Sequence, residues 1–387
     1  MLKRYLLSPG PFEVPPEVLL EMAKPVFHHR TPQFKKALGE AVEGLRYVFR
    51  TEGDVFIIAS SGTGAMEACV ANVLEPGEKA IVVRGGKFGE RWGGLCEAFG
   101  AEMVPLDVEW GHAVSPDRVS RALKEHPDTK AVYTTLCETS TGALTGVKAI
   151  GEIVGETDAL LVVDGISSVG GVEFEMDSYG VDLLAVGSQK ALMLPPGLAF
   201  IGVGEKAWKK IDATKGRRAY YFDLKAARKS AAKTDTPFTP AITSVMGLLK
   251  ALEMIRDEGL EHVWRRHDAL AEAARAGAVA MGLKLFAENP ASTVTAITLP
   301  QGLDGDALTK LLRDGYGVTI AGGQSQLKGR ICRIAHMGYA GPFDIVTALA
   351  ALEIGLKELG HDVTLGSGVA AAERVLVSRR DDWARRS

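Results

Sequence analysis

A chain of 387 residues, 46% hydrophobic and 24% charged, has the make-up of an ordinary globular protein, long enough for two domains. A net charge of -3 offers no basic field for nucleic acid or an anionic membrane, and apolar runs such as ALLVV (159–163) are far too short to span a bilayer. The four cysteines are scattered with no CxxC pair, which argues for free thiols in a reducing cytoplasm and against a disulfide framework or a zinc site.

The opening MLKRYLLSPGPFEVPP is basic at its start, but its apolar run stops at Pro9, so no secretory signal is expected. HHRTPQF (28–34) reads either as the mouth of a site or as the solvated start of a helix. His28, His29 and Arg30 lack a nearby third ligand, and no metal is expected there. From residue 54 short apolar runs alternate with helical patterns. DVFIIAS (54–60) precedes the helical GTGAMEACVANVL (62–74), and KAIVVRG (79–85) precedes FGERWGGLCEAFG. AEMVPLD precedes SPDRVSRALKEH, where Ser115 is a helix cap and Pro116 the first helical residue. KAVYTTL (130–136), ALLVVDG (159–165), DLLAVGS (182–188) and LAFIGVG (198–204) complete the set of strands. Strands apolar on both faces, spaced by helices, predict an α/β fold: a mostly parallel central sheet flanked by helices.

Residues 243–282 read as one helical stretch joining two domains. TVTAITLP, VTIAGG and RICRIAH then mark strands of a smaller α+β unit with two helices, and the end of the chain reads as a charged, frayed tail. The expected division is an N-terminal arm (1–18), a large domain (19–255), a small domain (256–363) and the tail (364–387).

SSGTGAMEA (60–68) turns from strand to helix. Its glycines would let a phosphate approach the free N–H groups of the helix start, although the same residues also serve a plain turn. It is neither a full GxGxxG nor a Walker loop, which disfavours a dinucleotide or ATP. Asp164 ends one buried strand and Lys190 follows another. Each alone reads as a turn acid or a snorkelling lysine. Together with a phosphate cradle they fit pyridoxal phosphate (PLP), which needs an amine for a Schiff base, an anion at its pyridine nitrogen and a phosphate site.

With LLSPGP, SSGTGAMEA, ETSTG, VVDGISSVGG, GSQKAL, PPG, TPFTPA and RIAHMG, residues 5–360 resemble the class V, fold-type I PLP aminotransferases, closest to the alanine–glyoxylate and serine–pyruvate group. The resemblance implies that Lys190 is the Schiff-base lysine and that Asp164 pairs with the ring nitrogen. It implies that Ser61, Gly62, Thr63 and Gln189 hold the phosphate, that Thr139 lies near the 3-hydroxyl, and that Phe88 stacks on the ring where many relatives have Trp or Tyr. Arg333 would grip the substrate carboxylate, with Gly10 of the tight SPGP arm beside the substrate. Thr239 would reach the phosphate of the neighbouring subunit, making a homodimer; its alternative is to cap the helix beginning near Ile242. The implied reaction moves an amino group from alanine or serine to glyoxylate or pyruvate. Cysteine desulfuration and a non-catalytic, hydrogenase-associated role are the alternatives. Desulfuration would need a cysteine on a mobile late loop, and Cys332 lies inside a strand pattern.

Overall fold

The computed structural model describes residues 2–215 and 218–384. Its centre is a seven-stranded sheet in the order Asp54–Ser60, Gly197–Val203, Leu183–Gly187, Leu160–Asp164, Ala131–Thr135, Lys79–Arg84 and Glu102–Asp107. Gly197–Val203 runs antiparallel to both neighbours; every other pair is parallel. Alternation along each strand explains the unbroken apolar runs. Ile81, Val83, Val132, Leu161, Val163 and Leu184 enter one core, beneath helices Pro32–Phe49 and Ile242–Glu258. Ala80, Val82, Tyr133, Leu160, Val162 and Leu183 enter another, closed by helices Gly62–Ala71 and Lys87–Ala98. A one-residue slip of any strand would exchange the two sets, so the register is firmly specified.

A second, antiparallel sheet runs in the order Lys284–Leu285, Val294–Thr298, Ile331–Ala335 and Ala321–Gly322. With helices Leu260–Ala280 and Pro342–Glu358 it encloses its own core, which includes Leu270, Ile297, Ile334 and Leu349. The N-terminal arm crosses into this core. Tyr5–Leu6 pairs in parallel with Val318–Thr319, and Leu7 and Phe12 are buried beside Ala191. Lys190 therefore sits on the seam between the two sheets' cores.

Three expectations change. The helical stretch 243–282 is two helices, Ile242–Glu258 and Leu260–Ala280, broken at Gly259, whose φ of 84° favours glycine. VTIAGG is divided: Val318–Thr319 serves the arm, and Ala321–Gly322 serves the small sheet. The expected frayed tail forms helix Ser367–Ser378, buried along Gly368, Ala371, Ala372 and Leu376. Glu353 holds the start of this helix, accepting from the backbone N–H of Gly366 (2.7 Å) and Gly368 (2.6 Å). The helix crosses Leu260–Ala280 so closely that a Cβ on Gly368 would lie 2.9 Å from the Gly277 carbonyl. Residues 385–387 of that tail lie outside the described residues. Ser115 does occupy the cap of helix Pro116–Glu125, by backbone position and without a side-chain bond.

Candidate active site

Parallel strands leave their carboxyl ends open to ligands. Asp164 is the last residue of its strand, paired in register with Thr135 on one side and Ala185 on the other. Burial pushes its carboxyl up to about 7, against one hydrogen bond received from the Ile166 N–H at 2.8 Å. Lys190 lies in the turn after Leu183–Gly187 and is buried. Burial pulls its ammonium down to about 8, with the nearby Asp164 charge opposing that shift. Its Nζ donates to the carbonyl of Pro9. Gly10 lies against the same amine: a Cβ there would collide with Lys190 Nζ, and its φ of 119° also demands glycine. The arm is stitched down on both sides of this contact, by Leu7 N–H to the Thr319 carbonyl (2.8 Å) and Phe12 N–H to the Gln189 carbonyl (3.3 Å).

Helix Gly62–Ala71 starts beside this pair. Ser61 caps it without using its side chain, and the first backbone bond of the turn is Gly64 N–H to the Ser61 carbonyl at 2.9 Å. Glycine at 62 is required by packing, since a Cβ would come 2.5 Å from Ile166. Gln189 lies close by: a Cβ built on Gly187 would sit 3.1 Å from Gln189 Oε1 and 3.6 Å from the Gly62 Cα. That Oε1 is buried with no hydrogen-bond partner among the described residues. The structure thus brings Ser61, Gly62, Thr63 and Gln189 to one corner.

Phe88 begins helix Lys87–Ala98, with the Arg91 guanidinium 4.8 Å from its ring centroid. Arg91 also donates to Thr63 Oγ1 at 3.0 Å. Thr139 Oγ1 donates to Ser167 Oγ at 2.6 Å, and the Thr139 carbonyl accepts from Arg333 Nη1 at 2.8 Å. Arg333 is buried in strand Ile331–Ala335 and also donates to the Gly322 carbonyl from Nε (3.1 Å) and Nη2 (2.7 Å). Burial lowers its guanidinium to about 10. No carboxylate pairs with it among the described residues, and each terminal nitrogen keeps one N–H uncommitted, the pair a substrate carboxylate would take.

Two stretches lie apart. His28 and His29 stack on each other at 4.6 Å, while Arg30 pairs with Asp235 at 2.5 Å, just before Thr31 caps helix Pro32–Phe49. The three residues thus stand just before a helix start. Thr239 is exposed, in a groove of about 350 Å³ along the edge strand Asp54–Ser60. It does not cap the following helix: Ala241 occupies the cap, without any side-chain bond, so that alternative is corrected. The chain bends at Pro237 and Phe238, and the helix begins after Pro240 and Ala241.

The sequence reading passed over Pro9, Arg91, Ser167 and Glu138. The last was visible as the first letter of ETSTG, an acid inside a run that is otherwise uncharged.

These groups suit PLP. A buried carboxylate pushed up toward neutrality has no cation at hydrogen-bond distance among the described residues, and a protonated ring nitrogen would supply one. The free helix-start N–H groups lack an anion, which a phosphate would supply, and the Gln189 amide beside them would turn its NH₂ toward that anion, since its Oε1 has no partner among the described residues. A buried amine depressed to about 8 is a competent nucleophile toward an aldehyde.

Fold and donor set together define a fold-type I PLP-dependent transferase. The chain belongs to the class-V aminotransferase family, whose model matches residues 4–340, and it is a PLP-dependent transaminase. It is 41% identical to a protein named soluble hydrogenase, small subunit, of a Synechococcus strain, over 97% of this chain and 98% of that one. It is 36% identical to the serine–glyoxylate aminotransferase of Methylorubrum extorquens, over 97% and 96% of the two chains. Among solved structures, ureidoglycine–glyoxylate aminotransferase from Bacillus subtilis superposes with a TM-score of 0.94 at 32% identity, covering 97% of this chain and 99% of that chain.

Proposed function

We propose that the protein moves an amino group from a small amino acid, alanine or serine, to a small keto acid, glyoxylate or pyruvate. The observation that carries the size limit is the backbone of the SPGP arm, whose Pro9 carbonyl accepts from Lys190 Nζ and whose Gly10, at a φ of 119°, lies against the same amine. A substrate seated at that amine meets the backbone of the SPGP arm, and a long side chain would have to displace it. Glyoxylate in the names of two relatives supports the choice of acceptor.

Bound PLP supplies an aldehyde for the amine and a ring that withdraws electrons from the substrate's α-carbon. Lys190 would hold it covalently. Once released, the Lys190 amine would take the proton from the substrate Cα; at about 8 it is part neutral near neutral pH. Asp164 would keep a proton on the ring nitrogen. Ser61, Gly62 and Thr63 would hold the phosphate with Gln189, whose amide offers an N–H after a half-turn. Thr139 would face the 3-hydroxyl and Phe88 the ring. Arg333 would take the carboxylate of every substrate, fixing the Cα below the lysine.

We place Thr239 against the phosphate of a second copy. Each site of a homodimer would then be completed by its partner. Four buried, unpaired cysteines suit a cytoplasmic protein, and among the described residues no helix is long and apolar enough to cross a membrane. Cysteine desulfuration is disfavoured because Cys332 is buried within its strand and its thiol is pushed up to about 12.

A matrix of donors (alanine, serine, aspartate, glutamate) against glyoxylate, pyruvate and 2-oxoglutarate tests the reading. Alanine or serine with glyoxylate or pyruvate should give the highest kcat/KM. Preference for aspartate or glutamate would overturn the size argument. A protein purified without cofactor absorbance, and inert after PLP is added, would favour the assembly role that the hydrogenase name suggests.

A further inference from the structure

Glu138 is buried at the centre of the site's wall and faces no cation at hydrogen-bond distance among the described residues. It is nevertheless fully engaged. Oε2 accepts from the backbone N–H of Phe88 and of Gly89, both at 3.0 Å. Oε1 accepts from the Ser140 N–H at 3.2 Å and from the Ser140 hydroxyl at 2.5 Å. Ser140 Oγ in turn accepts from the Lys87 N–H at 3.1 Å. One carboxylate therefore closes two orphan donors of helix Lys87–Ala98 and folds the turn 138–141 against that helix start. Glycine at 86 is part of the fit, because a Cβ there would collide with the Glu138 carboxyl.

The two segments so joined carry Phe88 and Thr139, and the Thr139 carbonyl receives Arg333 Nη1 at 2.8 Å. We infer that Glu138 is a positioning residue: its carboxylate holds the ring-facing Phe88 and, through Thr139, the carboxylate-binding Arg333 in one register. This rests on the proposed placement of cofactor and substrate around those residues. The geometry also says why glutamine cannot replace it. All four partners are donors, so an amide would turn its NH₂ toward two N–H groups or toward Ser140. Burial raises the Glu138 carboxyl, while the four donated bonds hold it down.

The test compares Glu138→Gln and Ser140→Ala with the wild-type holoenzyme. For Glu138→Gln the expected results are a PLP dissociation constant and a keto-acid KM each raised about tenfold or more, and an altered visible circular dichroism of bound PLP. The melting of the cofactor-free protein should stay cooperative. Ser140→Ala, which removes one donor and the Lys87 acceptor, should move the same three readouts in the same direction by less. If Glu138→Gln folds and all three match wild type, the inference is overturned. If Glu138→Gln does not fold, Ser140→Ala decides: unchanged PLP affinity, dichroism and KM overturn it. Borohydride reduction of wild type separates this from the site assignment. Label on Lys190 with wild-type-like variants condemns only the Glu138 role, and label on another lysine condemns the site itself.

Discussion

Two buried arginines less than one hundred residues apart are treated in opposite ways. Behind the small sheet, Arg266 is paired with a carboxylate: Nε and Nη2 meet Glu258 at 2.6 and 3.0 Å, and Nη1 meets the carbonyls of Gly338 and Ala340 at 3.0 and 2.8 Å. In the seam, Arg333 has only carbonyls as hydrogen-bond partners, no ion pair among the described residues, and a guanidinium pulled down by burial against the charge of Glu138. Asp164 and Lys190 are likewise without an ion pair at hydrogen-bond distance among the described residues, one pushed up and the other down by burial, each against the other's charge. A structural charge is satisfied by the fold, whereas a charge kept for a ligand stays unsatisfied until the ligand arrives. The seam is held in that state at a cost in stability that the rest of the fold must cover.

The largest expected effect lies in the seam. Lys190→Ala should lower turnover by at least ~10³-fold, since it removes both the attachment point and the base. The check is steady-state kinetics together with loss of the borohydride-reducible adduct, and near-normal turnover would remove Lys190 from the chemistry. The two arginines should then part company. Arg266→Ala should destabilise the fold by about 3–5 kcal/mol by stranding Glu258, seen in denaturant melts. Arg333→Ala should leave the melt of the cofactor-free protein nearly unchanged or improved. It should weaken every α-carboxylate substrate by about 2–5 kcal/mol, read in the KM of donor and acceptor alike. If both arginines shift only the melt, the contrast between the regions fails.

Asp164→Asn sharpens the same contrast with an opposite sign in two assays. A carboxyl raised in the folded state stabilises the fold below its ordinary value of 3.8, and that contribution is lost as pH rises through about 7. Lys190 is the reverse: its contribution is present above 10.5 and lost as pH falls through about 8. Removing the Asp164 charge should therefore stabilise the cofactor-free protein at pH 8, by on the order of 2–4 kcal/mol, with the gain shrinking as pH falls to 5. The same change should weaken PLP. Destabilisation of the cofactor-free protein at pH 8 would show that Asp164 is satisfied by the fold after all.

The central sheet was legible because both faces of its inner strands are covered, so they are apolar runs such as LLVVD (160–164). The site corner was legible because glycines, an acid and a lysine fall at strand ends. The tail helix was not, because its buried stripe, apart from Leu376, is Gly368, Ala371 and Ala372, residues too small to show periodicity against the flanking charges. Gly259 was missed for a related reason: one glycine inside 243–282 does not announce a break until its positive φ is seen. Glu138 was passed over because its partners are backbone N–H groups, which a sequence does not display.

The smallest expected effect belongs to Thr239, the one proposed cofactor residue that lies outside the seam. Pro237 and Pro240 bracket it, Tyr221 and Phe238 stack at 5.1 Å beside it, and its groove runs along the edge strand that leads into Ser61. It has no hydrogen-bond partner within its own chain among the described residues, which leaves its hydroxyl available to a phosphate. Thr239→Ala should then weaken PLP by roughly 0.5–1.5 kcal/mol, the scale of one hydrogen bond, and should make dimer stability less dependent on PLP. Hybrids with Lys190→Ala decide the geometry. If Thr239 acts across the interface, a dimer of one Lys190→Ala chain and one Thr239→Ala chain gathers both lesions in one site and leaves the other intact. Half of its sites should bind PLP with wild-type affinity. If Thr239 acts within its own chain, neither site is intact and no wild-type binding returns. Unchanged PLP affinity in the Thr239→Ala homodimer would remove the residue from the site altogether.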